Sequence, residues 1–133
     1  MIIDSSALVA ILRGEPEQAA FGEIIVRAGG GRLSAASYLE TAIVIDKARD
    51  PVTSRALDPF LAASGIAIEP VTPDQARIAR DAYRDFGKGS GHAAQLNFGD
   101  CLTYALAADK GEPVLFKGDD FSHTDLEAAA NTK

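Results

Sequence analysis

Four acidic positions in this sequence stand where a carboxylate can meet a ligand. Asp4 ends the short apolar run Met1-Ile2-Ile3, and Glu40 closes Ala36-Ser37-Tyr38-Leu39-Glu40. Asp100 follows Asn97-Phe98-Gly99, and the adjacent pair Asp119 and Asp120 follows Phe116-Lys117-Gly118. Each lies just past an apolar run or near the start of a helical pattern. In an open parallel sheet those places gather at the carboxyl edge, in the crevice where ligands bind. Carboxylates that share a crevice repel one another unless something positive intervenes. Hard divalent cations take oxygen ligands, so the pattern points to a Mg²⁺ or Mn²⁺ site. Such a site supports metal-assisted phosphodiester cleavage, in which the ion lowers the pKa of a water and neutralises charge building on phosphorus. No serine–histidine pairing suggests a triad hydrolase, and no phosphate-cradling Gly-x-x-x-x-Gly-Lys run occurs.

Every acid also has a plainer reading. Asp4 can cap the helix that follows it. Asp100 falls in a first helical turn, where the dipole favours an anion. Glu40 suits a helix surface, and Asp119 and Asp120 suit a turn. Their joint placement, rather than any one of them, carries the argument for a site.

The elements that must position these acids are legible in the hydrophobic pattern. Residues 2–4 read as a short buried strand and 6–12 as a helix start. Glu15-Pro16-Glu17 opens a second helix that Gly29-Gly30-Gly31 ends. A stub of strand at 32–34 precedes a long helix over 36–49, which Asp50-Pro51 stops, and another helix spans 52–64. Residues 66–71 alternate as a strand should. Thr72-Pro73-Asp74-Gln75 has capping-box spacing and begins a helix to about Phe86. Gly87 to Gly91 is a glycine-rich loop, 100–110 a helix closed by Gly111, and 113–116 the last strand. Thr124 with Glu127 predicts a short final helix. Short strands separated by helices imply an α/β protein, a three-layer α/β/α sandwich around a short-stranded central parallel sheet. The length of 133 residues suits a single domain, residues 1–133.

Composition narrows the chemistry further. One cysteine, Cys101, excludes an internal disulfide framework and suits a reducing cytoplasm. With only His92 and His123, a histidine-built zinc site is not expected. No apolar run approaches the ~18 residues of a membrane span. A net charge of −6 argues against broad, non-specific nucleic-acid binding, though not against a nucleic acid held by metal ions and a small basic patch.

Taken together, the segments resemble the PIN domain, and specifically VapC-type toxin ribonucleases. The resemblance rests on Ile3-Asp4-Ser5-Ser6-Ala7-Leu8, Ser37-Tyr38-Leu39-Glu40, Phe98-Gly99-Asp100-Cys101-Leu102 and Val114-Leu115-Phe116-Lys117-Gly118-Asp119-Asp120-Phe121, which span nearly the whole chain. It implies a Mg²⁺- or Mn²⁺-dependent endoribonuclease, a homodimer, and inhibition by a cognate VapB-type antitoxin. Asp4, Glu40 and Asp100 match that pattern's acids as catalytic and metal-ligating residues, and Ser6 matches the hydroxyl that supports the first acid. The fourth acid departs from it. Phe116 replaces a hydroxyl residue and Gly118 takes the usual acid position, so Asp119, nearer the strand tip, is expected as the fourth acid with Asp120 in support.

Candidate RNA contacts are Arg13, Lys88, His92 and Lys117. Arg77, Arg80 and Arg84 share a helix face, and pairing with Asp74, Asp81 and Asp85 is the better expectation for them than a phosphate-binding stripe. Two other functions fit the same features: a non-catalytic interaction domain that kept the fold, and a metal-dependent nuclease acting on DNA.

Overall fold

Short apolar runs become parallel strands here, and the amphipathic stretches between them become crossover helices. In the computed structural model, which describes residues 1–129, the order is β1 (Ile2–Ile3), α1 (Ser5–Leu12), α2 (Gln18–Ala28), β2 (Gly31–Ser34), α3 (Ala35–Lys47), α4 (Pro51–Ser64), β3 (Ile66–Glu69), α5 (Pro73–Phe86), α6 (Phe98–Lys110) and β4 (Val114–Leu115). The strands form one parallel sheet in the order β3-β2-β1-β4. The chain thus moves from β1 through β2 to β3, then returns to the far side of β1 with β4. That reversal makes β1 the topological switch point, and Asp4 is the first residue beyond its tip.

Successive strand residues face opposite sides of a sheet, and here that alternation divides two cores. Ile2 and Val114 pack with Ala79 and Ala82 of α5 and with Tyr104, Ala105 and Leu106 of α6. Ile3 and Leu115 pack on the other face with Leu8 of α1, Phe21 and Ile25 of α2, and Leu57 and Leu61 of α4. All four strand residues are fully buried, so β1 and β4 read as continuous apolar runs rather than alternating ones. The expected α/β/α sandwich is the one that forms.

The differences from the sequence reading are local. The third strand stops at Glu69, before Pro70, which has no N–H to give to a ladder. The sixth helix begins two residues early because Asn97 caps it. Thr72 caps α5 by accepting from the Gln75 N–H at 3.1 Å. The Gln75 side chain, however, reaches away to Asp109 at 3.0 Å and ties α5 to α6 instead of completing a capping box. No final helix forms at Thr124. Its hydroxyl turns back to the Phe121 carbonyl, and Ala128 makes a parallel bridge with Val114 that extends the sheet beyond β4. Backbone bonds from Val114 N–H to Glu127 and from Ala129 N–H to Val114 satisfy that outer edge, which a helix there would leave bare.

The sheet's packing gives a direct test. Leu33→Ala removes a fully buried side chain from the α1–α2–α4 core and should cost about 2–5 kcal/mol in urea unfolding.

Candidate active site

Asp4 takes extended backbone (φ −85°, ψ 155°) between β1 and α1 and caps α1 through its own carboxylate. Its Oδ2 accepts the Ser6 N–H at 3.0 Å and the Ser6 hydroxyl at 2.6 Å. Its Oδ1 accepts the Thr103 hydroxyl at 2.7 Å. Capping and site geometry are therefore one arrangement: the bonds that start α1 also fix the direction of a carboxylate that is only 3 % exposed. The Ser6 hydroxyl in turn accepts the Lys117 N–H at 3.0 Å, so the loop after β4 is registered on the same acid. Ser37 of α3 meets Thr103 at 3.1 Å and adds a third helix to the network.

Asp100 enters from the first turn of α6 in a reciprocal capping box with Asn97. The Asp100 N–H donates to Asn97 Oδ1 at 2.8 Å, and the Asn97 N–H donates to Asp100 Oδ2 at 3.0 Å. Burial pushes the Asp100 carboxyl up to about 7. The Asn97 N–H pulls against that shift, while the like charges of Asp120 and Asp4 and a hydrogen bond with Asp120 add to it. Among the described residues, the charges acting on it are those of Asp120 and Asp4.

Glu40 arrives from α3, its Oε1 accepting the Ser5 hydroxyl at 2.8 Å. Its carboxylate lies against Gly99, where an added Cβ would come within 2.6 Å of Oε1 and 2.7 Å of Cδ. Gly99 is thus needed for close approach, as a side chain there would displace Glu40.

The structure gathers Asp4, Glu40 and Asp100 at one sheet edge, but it exchanges the last acid. Asp120, not Asp119, stands against Asp100. Both residues are exposed on the turn, and the Asp119 carbonyl accepts the Ser122 N–H. The turn after Gly118 (φ 99°) re-aims the chain, so the residue nearer the strand tip is not the one beside Asp100. Three supporting residues escaped the sequence reading. Thr103 was detectable, lying one helical turn after Asp100 on the same face, and Asn97-x-x-Asp100 has capping-box spacing. Ser5 carried no local signal, since its bond to Glu40 depends on how α1 packs against α3.

The basic candidates divide. Lys117 is held by Glu15 at 2.7 Å and Glu17 at 3.2 Å, which pins the fourth-acid loop to the α1–α2 connection. Arg13 donates to the Val44 carbonyl at 3.3 Å. His92 Nδ1 accepts the Ala94 N–H, and its ring packs edge-on to Phe86. Lys88 is exposed. Arg77 pairs with Asp74 and Arg84 with Asp81 at the expected i,i+3 spacing, Arg84 also meets the adjacent Asp85, and Arg80 has no acid partner among the described residues.

Comparison with known proteins decides the family. The PIN domain profile matches residues 1–127. Ribonuclease VapC28 of Mycobacterium tuberculosis is 56 % identical over 133 residues, covering 100 % of both chains. The chain is a PIN-domain protein of the VapC ribonuclease family. Among solved structures it is similar to Mycobacterium tuberculosis VapC20, described as a Sarcin-Ricin loop cleaving toxin, with a TM-score of 0.74 and 16 % identity over 94 % of this chain and 95 % of that one. A toxin–antitoxin complex from Klebsiella pneumoniae has a TM-score of 0.68 and 14 % identity over 93 % and 92 % of the two chains. At those identities the likeness is one of fold.

The PIN-domain crevice offers oxygen donors only. Among the described residues no group of three or more His, Cys, Asp or Glu side chains is placed so that it could hold a metal ion as the side chains stand. The donor chemistry nonetheless suits a hard cation, because the buried Asp100 carboxyl faces the like charges of Asp120 and Asp4.

That arrangement has a pH signature. Because the folded Asp100 carboxyl lies above its ordinary 3.8, the folded state keeps a proton that the unfolded chain loses between about pH 4 and 7. Its stabilising contribution is full below that window and disappears as pH rises through it. Metal-free protein should lose on the order of 1–3 kcal/mol across the window. Asp100→Asn keeps an acceptor for Asn97 and should flatten the loss when urea unfolding is compared at pH 5 and pH 7.5 in chelator.

Proposed function

We propose that this VapC-family chain is the toxin of a type II toxin–antitoxin pair and a Mg²⁺- or Mn²⁺-dependent endoribonuclease acting in the cytoplasm. The observation that carries the reading is the uncompensated acid crevice at the switch point, in a chain sharing 56 % identity with a named ribonuclease. Asp4, Asp100 and Asp120 would hold the cation, with Glu40 beside them. When bound, the ion supplies a more acidic water and offsets charge developing on the phosphate.

The chain's own residues do the rest. Ser6 and Thr103 hold the Asp4 carboxylate from both oxygens, so it need not reorganise as charge shifts in the crevice. Asn97 does the same for Asp100. Glu40, steadied by Ser5, accepts the proton from the attacking water. Attack by water rather than by the ribose 2′-hydroxyl leaves a 5′-phosphate and a 3′-hydroxyl, in keeping with a crevice built from carboxylates and no histidine pair. A VapB-type antitoxin as partner is supported by the structural likeness to a toxin–antitoxin complex. A homodimer is in keeping with the family.

The test is cleavage of a labelled structured RNA with Mg²⁺ or Mn²⁺ by protein freed of any partner. Asp4→Asn and Asp100→Asn should abolish cutting. Asp120→Asn should lower it far more than Asp119→Asn, and Thr103→Val should reduce it about 10- to 100-fold. Equal cutting by wild type and the Asp4 and Asp100 variants, or 2′,3′-cyclic phosphate ends, would overturn the assignment.

A further inference from the structure

A second feature borders the acid crevice and is unused by the chemistry above. Phe98, the first residue of α6, is 78 % exposed although Asp100, two residues on, is only 7 % exposed. Residues two apart on a helix point away from each other, so Phe98 faces outward from the acids into a groove between α5 and α6. The groove has a volume of about 680 Å³, and Val71, Ala79, Arg80, Tyr83, Lys88 and Phe98 are among the residues lining it. Tyr83 is itself 48 % exposed there, and its hydroxyl donates to the Lys88 carbonyl at 2.9 Å, which fixes the loop that carries the lysine.

The charges on this rim are selective. On the same helix Arg77 and Arg84 are taken up by Asp74, Asp81 and Asp85. Arg80 has no acid partner among the described residues, and neither does Lys88. A chain with a net charge of −6 therefore presents two free cations together, beside an exposed aromatic face and next to its acid crevice. Aromatic faces stack bases of any sequence, and flanking cations take the phosphates.

We propose that this groove is a nucleotide subsite, in which one unpaired base of the RNA substrate stacks on Phe98 while Arg80 and Lys88 hold the adjoining phosphates. It rests on the nuclease reading and deepens it. Phe98 is a positioning residue: it sets which phosphodiester lies over Asp4 and Asp100 without touching the reacting atoms. The subsite favours single-stranded or looped RNA, because a base within a duplex keeps its faces covered.

The protein contains no tryptophan, so Phe98→Trp creates a single reporter at the proposed stacking face. In an Asp4→Asn background, single-stranded RNA should quench that tryptophan saturably, and an oligomer of equal length lacking bases should not. In otherwise wild-type protein Phe98→Ala should raise KM roughly 5- to 100-fold with a smaller change in kcat, and Phe98→Trp should restore it. Arg80→Gln and Lys88→Gln should each reduce the salt dependence of binding by about 0.7 in slope. Unquenched tryptophan with an unchanged KM for Phe98→Ala, while Asp4→Asn still abolishes cutting, overturns the subsite and leaves the nuclease standing. A Phe98→Ala protein that changes oligomeric mass but not KM overturns it in favour of a protein contact. Cutting that survives Asp4→Asn removes the nuclease reading instead.

Discussion

The structure turns on a buried carboxylate that its surroundings do not neutralise. Asp100 is placed by a reciprocal capping box with Asn97 at the start of α6, and it faces Asp4 and Asp120. Folding the sheet brings these acids together, because β1 is both the switch strand and the strand whose tip carries Asp4. The Asp4 N–H continues the β1–β4 ladder by donating to Leu115 at 3.0 Å. Backbone pairing thus sets the acid's position before any side chain chooses a rotamer. A group held this firmly in an unfavourable electrostatic setting is a marker of function rather than of stability.

The two edges of the sheet make the contrast clear. Toward the amino edge, Glu112 meets the Met1 amine at 2.6 Å and Arg32 at 3.1 Å, and Arg32 also reaches Glu69 at 2.9 Å. Acid there is matched by base, and the Glu112 carboxyl is held below its ordinary range by the Met1 amine and Arg32. At the carboxyl edge Lys117, in the loop after β4, is paired with Glu15 and Glu17. The same chain thus pairs acids with bases at Glu112, Glu69, Glu15 and Glu17, whereas the charges acting on Asp100 among the described residues are those of other acids. The carboxyl edge is the one that carries Asp4 and Asp100.

Much of this was legible in the sequence, and the parts that were not share a cause. Ile2-Ile3 and Val114-Leu115 declared buried strands by being apolar without alternation, and Thr72-Pro73 marked a helix start and Asp50-Pro51 a helix stop through local chemistry alone. Asp4, Glu40 and Asp100 could be found because each sits at a junction that the hydrophobic pattern defines. The fourth acid could not be settled that way. Asp119 and Asp120 differ by one residue in a turn whose direction depends on Gly118 and on Lys117 being anchored to both Ser6 and the α1–α2 acids. The supposed helix after Thr124 failed for a related reason: its capping signal is local, whereas the open edge of β4 is a demand set by the whole sheet. Ser5, Phe98 and the groove beside it are products of helix packing, for which single-sequence periodicity holds no information.

The most direct test of the account is carbon-13 NMR titration of the aspartate carboxyl groups, with Asp100→Asn assigning the resonance. In metal-free protein the Asp100 carboxyl should titrate near neutrality, in line with its value of about 7. Saturating Mg²⁺ should move that titration well down into the acid range, as an opposite charge at the carboxylate requires. A resonance that titrates near neutrality without Mg²⁺ and stays there with it would contradict a cation held by these acids. One that titrates at its ordinary 3.8 in both conditions would contradict the uncompensated crevice itself.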